Sequence, residues 1–151
     1  MSTFIGNIEA RSDQKGRIFI PATYRRLLTE AGGLRLIMRR DADNDCLVFY
    51  PEPVWNQKLE QLKQVLDEWN ADDQLLLMQF VSEAERLDLD SQGRVLIQKR
   101  YLQSINAGND LLFVGMMDRF ALWDKATYES RRLSAADFAS RLRERMARTQ
   151  L

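Results

Sequence analysis

The sequence contains no histidine, and its single cysteine is Cys46. The absence of histidine excludes Ser-His triads, histidine metal sites and proton transfer by histidine. One cysteine cannot form an intrachain disulfide, and the apolar residues after Cys46 predict a buried thiol rather than a nucleophile. No carboxylate pair lies in an apolar motif. We therefore expect no enzymatic activity, no cofactor, no metal ion and no small-molecule substrate.

The chain also lacks an apolar run of about 18 residues, the length that spans a bilayer, and its beginning has no signal-peptide pattern. We therefore expect a cytoplasmic protein with no membrane partner. With 151 residues, of which 45% are hydrophobic and 29% charged, the composition is typical of a globular protein. This length fits one domain or two small lobes.

The formal net charge is zero, but the charges are segregated along the chain. Lys and Arg outnumber Asp and Glu by 8 to 3 over residues 1–40 and by 11 to 6 over residues 93–151. Over residues 41–92, Asp and Glu outnumber Lys and Arg by 13 to 3. Such a chain can present a basic face to phosphate groups. Pairing of opposite charges between lobes or subunits is equally compatible with this distribution.

One short motif, Asp-x-x-Gly-Arg followed by an apolar run, occurs at residues 13–17 and again at residues 90–94. A strand-like segment precedes each copy, so the pattern predicts two β-hairpins, formed by residues 4–8 with 17–20 and by 85–89 with 94–97. The Asp would accept backbone hydrogen bonds and the Gly would take a positive φ. A turn does not need the Arg, so Arg17 and Arg94 are candidate functional residues, and Arg17 should be exposed beside its turn.

The likeness between the two copies extends beyond the motif. At an offset of 77 residues Tyr24 matches Tyr101, and at an offset of 73 residues Trp55 matches Tyr128. The chain is therefore an internal duplication of a whole supersecondary unit with an α+β fold. Further strands are expected at 34–38, 46–50, 111–114 and 120–123, and helices at 22–28, from Pro53 onward, and at 72–82, 99–105, 124–131 and 134–147.

Three helices show informative apolar patterns. Five apolar residues spaced by four and three positions lie on one face of the helix after Pro53, which favours packing along its own sheet; they are Trp55, Leu59, Leu62, Leu66 and Trp69. The next helix, capped by Asn70, is apolar on more than one face, so part of it should meet a second subunit. The last helix, begun by a capping box at Ser134, has a basic remainder beside its apolar stripe. A solvated face is favoured there over a phosphate-seeking tail.

Together these motifs resemble the MraZ family of bacterial transcriptional regulators, in the AbrB-like swapped-hairpin superfamily. The resemblance covers the chain up to about residue 133 and rests on both motifs, on Pro21 with Tyr24-Arg25, and on Phe113-Val114-Gly115 before Phe120–Asp124. It implies two AbrB-like halves with interleaved hairpins, at residues 1–70 and 71–133, that assemble into a homo-oligomeric ring. Residues 134–151 would form a C-terminal helical tail.

The resemblance also implies a function, which is binding to tandem direct repeats in double-stranded DNA upstream of the division and cell-wall operon. Binding usually represses that operon. Because the protein would be bound to DNA, it would also be associated with the nucleoid. Lys15, Arg17 and Arg94 would contact DNA, and Arg11 is a further basic residue near the first loop. The turn residues are Asp13, Gly16, Asp90 and Gly93.

The second half departs from the family pattern at four positions. Gln98 stands where the family has Pro, Gln92 replaces the lysine found at Lys15, and Ala121 stands where Glu is frequent. Leu102 occupies the position that corresponds to Arg25. These differences predict that the second half binds DNA more weakly or serves mainly in assembly.

A different class of function fits the same motif. Because arginine binds carboxylates and phosphates alike, the chain is also compatible with a ring-forming scaffold whose loops hold an acidic protein partner. Salt-sensitive binding to a duplex, with preference for the upstream sequence, would distinguish a DNA-binding regulator from such a scaffold.

Overall fold

The computed structural model describes residues 3–149, which form eight strands and six helices. The strands are β1 Asn7–Ala10, β2 Arg17–Phe19, β3 Arg35–Arg40, β4 Leu47–Pro51, β5 Glu85–Asp88, β6 Arg94–Leu96, β7 Leu111–Gly115 and β8 Phe120–Asp124. The helices are α1 Ala22–Glu30, α2 Glu52–Val65, α3 Ala71–Ser82, α4 Lys99–Ser104, α5 Lys125–Arg131 and α6 Ala135–Arg148. The expected first half and tail include residues 1, 2, 150 and 151, which lie outside the described residues. The α+β class is confirmed.

Two helix starts follow directly from their capping residues. The side chain of Asn70 accepts a hydrogen bond from the backbone N–H of Asp73, and Ser134 does the same for Asp137, each at 3.1 Å. Such caps satisfy backbone donors that the first helical turn leaves unpaired. Both predicted caps are therefore confirmed.

The strands form two sheets that reflect the duplication. Six strands make an antiparallel sheet in the order β1-β7-β8-β4-β3-β5, and β2 pairs with β6 in a separate two-stranded sheet, called the ribbon below. Each strand has a counterpart in the other half, namely β1 with β5, β3 with β7 and β4 with β8. Replacing every strand by its counterpart gives the same order read from the other edge of the sheet. A pseudo-two-fold axis therefore passes between β4 and β8.

The two predicted hairpins are wrong in their strand pairing. β1 pairs with β7 and β5 with β3, while β2 and β6 pair with each other. Each motif thus joins a strand of the large sheet to a strand of the ribbon. A local hairpin and the observed arrangement both need a strand, a turn and a strand, so the local sequence pattern is the same for both. The pairing partner of each strand is chosen by packing between distant segments. The interleaving is the one that the family resemblance implies.

The ribbon covers one face of the large sheet. Ile18 and Val95 in the ribbon are 0% and 1% exposed, and they belong to a core that includes Phe49, Phe113 and Phe120. The rings of Phe49 and Phe120 are stacked with centroids 5.3 Å apart. This apolar core holds the ribbon to the sheet.

A second core lies on the opposite face, because alternate residues of β4 and β8 point to opposite sides. It contains Val48 and Trp123 together with Trp55 of α2, and Phe80 of α3 stacks on Trp55 with ring centroids 5.1 Å apart. Cys46 is buried there, as predicted, and burial raises the pKa of its thiol to about 12.

The expected helix from Pro53 through Trp69 is shorter than predicted. α2 ends at Val65, and Trp69 is 86% exposed, so only the first part of the expected helix packs on the sheet. Side chains of the following turn explain the end of the helix. Asp67 accepts the N–H of Trp69 at 2.9 Å, and Asp73 accepts the N–H of Asp67 at 2.8 Å. These bonds replace the next helical turn.

The outer helices leave apolar side chains uncovered in this chain. Neither α3 nor α6 has a buried residue. The exposed apolar side chains of α3 are Leu75, Leu76, Met78 and Val81. Contact between α3 and a second subunit stays a prediction. Within residues 3–149, no helix has the length and apolar character needed to cross a membrane.

Backbone hydrogen bonds tie each end of the ribbon to the loop of the other half. The N–H of Ile97 donates to the carbonyl of Gly16 at 2.9 Å, and the N–H of Ile20 donates to Gly93 at 3.0 Å. Both glycines have positive φ, at 88° and 82°. A Cβ on Gly16 would collide with the Ile97 carbonyl oxygen, whereas a Cβ on Gly93 would meet the Arg25 side chain. The close approach therefore requires glycine most strictly at Gly16.

We expect Gly16→Ala to lower the free energy of unfolding by roughly 2 kcal/mol or more, because it adds a backbone collision to the strain of positive φ. Gly93→Ala should cost less, since the Arg25 side chain can move. Gly32→Ala is the matched control, because Gly32 also has positive φ, at 111°, but a Cβ there meets nothing within 4 Å. Denaturant unfolding measures all three. Equal losses for Gly16→Ala and Gly32→Ala would contradict the importance of the loop contact.

Candidate nucleic-acid interface

The first loop is built around the carboxylate of Asp13. Its Oδ1 accepts the backbone N–H groups of Lys15 and Arg17, both at 2.9 Å, and its Oδ2 accepts Nε of the Arg17 side chain at 2.7 Å. The N–H of Gly16 donates to the Asp13 carbonyl at 3.1 Å. One carboxylate therefore closes the turn and also orients the arginine that follows it.

The second loop repeats this geometry. Asp90 accepts the N–H groups of Gln92 and Arg94 at 2.9 Å through Oδ1, and Nε of Arg94 at 2.9 Å through Oδ2. The two copies of the motif thus have the same hydrogen bonds. In the motif, the spacing between Asp and Arg lets one side chain contact both the backbone and the guanidinium.

These hydrogen bonds favour the charged form of both carboxyl groups. The backbone N–H of Arg17 is the largest cause that lowers the pKa of Asp13 below its ordinary value, and the N–H of Arg94 does the same for Asp90. Ionised carboxylates make stronger hydrogen bonds to N–H donors than neutral ones do. The loops are therefore most firmly closed when both Asp side chains are charged.

Each arginine is held through Nε, which leaves the other guanidinium nitrogens unused. Among the described residues, Nη1 and Nη2 of Arg17 and Arg94 donate no hydrogen bond. The side chains of Arg17 and Arg94 are 35% and 20% exposed, so the expectation that Arg17 is exposed beside its turn is met only in part. The Asp thus engages one edge of each guanidinium and leaves the other edge without a protein acceptor.

The ribbon brings the two arginines onto one surface. Arg17 lies opposite Leu96, and Phe19 lies opposite Arg94. Because Ile18 between Arg17 and Phe19 points into the core, these four residues lie on the outer face. The Arg94 guanidinium carbon is 5.8 Å from the centre of the Phe19 ring.

The other two predicted DNA-binding residues are placed differently. Lys15 is exposed at the first loop. Arg11 follows the end of β1 and forms an ion pair with Asp110 at 3.0 Å, so its guanidinium is engaged outside the ribbon. The structure therefore groups Lys15 with Arg17 and Arg94, and it places Arg11 at the margin of the large sheet.

Three residues of this surface were not selected from the sequence. Phe19 and Leu96 are 58% and 55% exposed, and the strand alternation within each apolar triplet is the signal that could have identified them. Arg25 of α1 lies over the second loop, with Nη1 3.5 Å from the Gln92 carbonyl oxygen. Its contact crosses between the halves, so no local signal predicts it. In residues 3–149, no group of three or more potential ligands is placed to hold a metal ion.

The basic residues around the ribbon come from both halves. α1 and α4 directly follow the two ribbon strands, and they carry exposed Arg26 and exposed Lys99 and Arg100, respectively. Together with Arg17 and Arg94, these side chains can donate hydrogen bonds to acceptor groups and attract negative charge.

Comparison with known proteins identifies the same duplication. A family described as "MraZ protein, putative antitoxin-like" matches residues 3–77 and again residues 80–149. The match includes α6, so the likeness extends past residue 133, where the sequence resemblance was expected to end.

Individual relatives match over nearly their whole length. "Transcriptional regulator MraZ" of Bacteroides thetaiotaomicron is 47% identical over 146 residues, covering 97% of this chain and 94% of the relative. The protein of the same name from Bacteroides fragilis is 46% identical, covering 97% and 92%. The one from Acidovorax sp. (strain JS42) is 31% identical, covering 87% and 89%.

We expect Asp13→Ala to lower the melting temperature at neutral pH, because it removes the acceptor that closes the first loop. The folded-state pKa of Asp13 lies below its ordinary value of 3.8, so its stabilisation is present above that value and is lost as pH falls through the folded pKa. The difference in melting temperature between wild type and variant should therefore shrink as pH falls below about 4.

Asp13→Asn is the matched control for this experiment. Its amide oxygen can still accept the two backbone N–H groups but carries no charge to hold Arg17, so its loss should be intermediate. Thermal unfolding followed by circular dichroism across the pH range measures all three proteins. A difference that stayed constant down to pH values near 2 would show that the ionised carboxylate does not stabilise the loop.

Proposed function

This chain belongs to the MraZ family, and from that premise we propose that it is a transcriptional regulator that binds double-stranded DNA in a sequence-specific way. The observation that carries the proposal is the pair of arginines on the outer face of the ribbon. Each is oriented by an Asp through Nε and keeps Nη1 and Nη2 for a ligand. Such preorganisation lowers the entropy lost on binding.

The shape of the ribbon suits the major groove of B-DNA, which admits a two-stranded β-ribbon. The pair of nitrogens on a guanidinium can donate to O6 and N7 of a guanine, the commonest specific contact in that groove. Lys15 on the loop and the basic residues of α1 and α4 would contact phosphates, which position the protein without reading sequence. Arg17 and Arg94 would thus supply specificity, and their neighbours would supply affinity.

We further propose that the chain acts as a homo-oligomeric ring on tandem direct repeats upstream of the division and cell-wall operon, and that binding represses this operon. One ribbon offers few charges, so one contact should be weak and sensitive to salt. The uncovered apolar side chains of α3 and α6 support assembly, because monomers rarely leave such surfaces exposed. Units related by rotation around a ring fit direct repeats rather than palindromes.

We expect Arg17→Ala to abolish specific binding without unfolding the chain, because a bidentate arginine contributes roughly 1–3 kcal/mol of base discrimination in each bound subunit. Arg94→Ala should weaken binding less, because Gln92 replaces a lysine in the second loop. Titration of promoter DNA by fluorescence anisotropy at fixed salt, with footprinting of the upstream region, measures these effects.

Arg86→Ala is the control for loss of one positive charge, since Arg86 lies on β5 outside the ribbon and its side chain is 75% exposed. Equal losses for Arg17→Ala and Arg94→Ala would contradict the predicted difference between halves. If no duplex bound in a salt-dependent way while an acidic protein did, the scaffold function would replace the proposed one.

We also expect binding to depend on the phase of the repeats. Repeats one helical turn apart, roughly 10–10.5 bp, face the same side of the duplex, so several ribbons of one ring can bind together. The resulting avidity can exceed the affinity for a single repeat by about 10²–10⁴-fold. Inserting about half a turn between repeats should therefore reduce affinity toward the value for one repeat.

An insertion of one full turn is the control, because it changes the length but restores the phase. Electrophoretic mobility shifts with natural, half-turn and full-turn spacing separate the two effects. Equally tight binding to the half-turn DNA would rule out simultaneous contacts by a rigid ring.

A further inference from the structure

The two halves carry helix pairs of opposite charge. α2 and α3 follow β4, and α5 and α6 follow the equivalent strand β8. Residues 52–82 contain six acidic and two basic side chains, whereas residues 125–148 contain seven basic and three acidic ones. Helix pairs at equivalent places in the duplicated fold therefore have opposite sign.

The acidic pair encloses an uncovered apolar groove. Between α2 and α3 lies a cavity of about 980 Å³ that opens to the surface. Its apolar lining is Leu66, Trp69, Leu77, Met78 and Val81, and its charged lining is Lys63, Asp67, Glu68 and Asp73. No residue of α6 lines this groove in its own chain. A ligand that fits it should be apolar along one side and positively charged beside that side.

α6 has this chemistry. Phe138, Leu142 and Met146 are 56%, 46% and 58% exposed and recur every four residues, so they form one apolar stripe along the helix. Arg145 lies three residues after Leu142 and therefore beside the stripe, and Arg141 lies further to the same side. The 14 residues of α6 give it the same length as α2, roughly 21 Å.

We propose that α6 of one copy lies in the α2–α3 groove of a neighbouring copy, with its apolar stripe on Trp69 and Met78 and its arginines near Glu68. Because each copy offers one groove and one helix, the contact is head-to-tail and can close into a ring. The inference rests on the oligomeric ring of the proposed function and identifies the surfaces that join its subunits.

The test reverses one charge on each surface of the full chain, without DNA. Glu68→Arg and Arg145→Glu should each raise the concentration needed for assembly by roughly tenfold, because each places like charges across the contact. Neither side chain is buried or makes a hydrogen bond or ion pair within residues 3–149, so the fold should be unaffected. Sedimentation velocity and light scattering over a range of concentrations measure assembly.

The decisive step is to combine the variants. In an equimolar mixture, the groove of the Glu68→Arg chain can bind the helix of the Arg145→Glu chain, and the two unchanged surfaces pair as in the wild type. The mixture should therefore assemble at wild-type concentrations, and so should the chain that carries both changes. Arg143→Glu is the matched control, since it makes the same charge change on the same helix but on the opposite side from Arg145, and the exposed Arg143 side chain makes no hydrogen bond or ion pair within residues 3–149. It should leave assembly nearly unchanged.

The proposal is overturned if mixing does not restore assembly, or if Arg143→Glu weakens assembly as much as Arg145→Glu. It is also overturned if the wild type stays monomeric, including the case in which it binds vesicles of anionic lipid through α6. Affinity for a single DNA repeat tests the proposed function separately, because it depends on the ribbon. Variants that dissociate but keep the affinity for a single repeat support the interface. Variants whose rings stay intact and bind tandem repeats would contradict the interface without contradicting the proposed function.

Discussion

The pairing of β2 with β6 is the contact on which the arrangement of this protein depends. It joins only three residue pairs, yet it buries Ile18 and Val95 against the large sheet and links each loop to the opposite half through Gly16 and Gly93. Neither half could make this ribbon alone, because each supplies one strand. The same pairing sets Arg17 and Arg94 on one outer face, so the fold and the candidate interface have a common origin.

Duplication let the two loops keep one geometry while their chemistry diverged. The Asp side chains make matching hydrogen bonds in both copies, because the turn needs a carboxylate that contacts the backbone and the next arginine. Residues around the turn are free of that constraint, and the outward apolar residue is Phe19 in one strand and Leu96 in the other. Arg25 covers the second loop, and α4 has leucine at the matching position. The ribbon is thus symmetric in backbone and asymmetric in surface.

The two faces of the large sheet separate two tasks in the proposed function. The ribbon, α1 and α4 pack on one face, so their exposed basic side chains belong to the same side of the sheet as the two arginines. The helix pairs α2–α3 and α5–α6 follow the central strands, and their uncovered apolar surfaces have opposite charge. A protein built in this way can present its ribbons to DNA while its helices join neighbouring copies. Contacts on one face then need not interfere with contacts on the other.

The sequence by itself determined the caps at Asn70 and Ser134, the burial of Cys46, the turn at each motif, and which segments become strands and helices, except that the first strand was expected at 4–8 and lies at Asn7–Ala10. These features depend on neighbours a few residues away, so local patterns suffice to predict them. The early end of α2 and the partial burial of Arg17 come from hydrogen bonds between near neighbours, made by Asp67, Asp73 and Asp13, which the apolar patterns do not reveal. Tertiary structure alone decided which strands pair and the position of Arg25 over the second loop. Each of these depends on contacts between segments far apart in the chain, and the free energy of such contacts is not encoded in any local pattern.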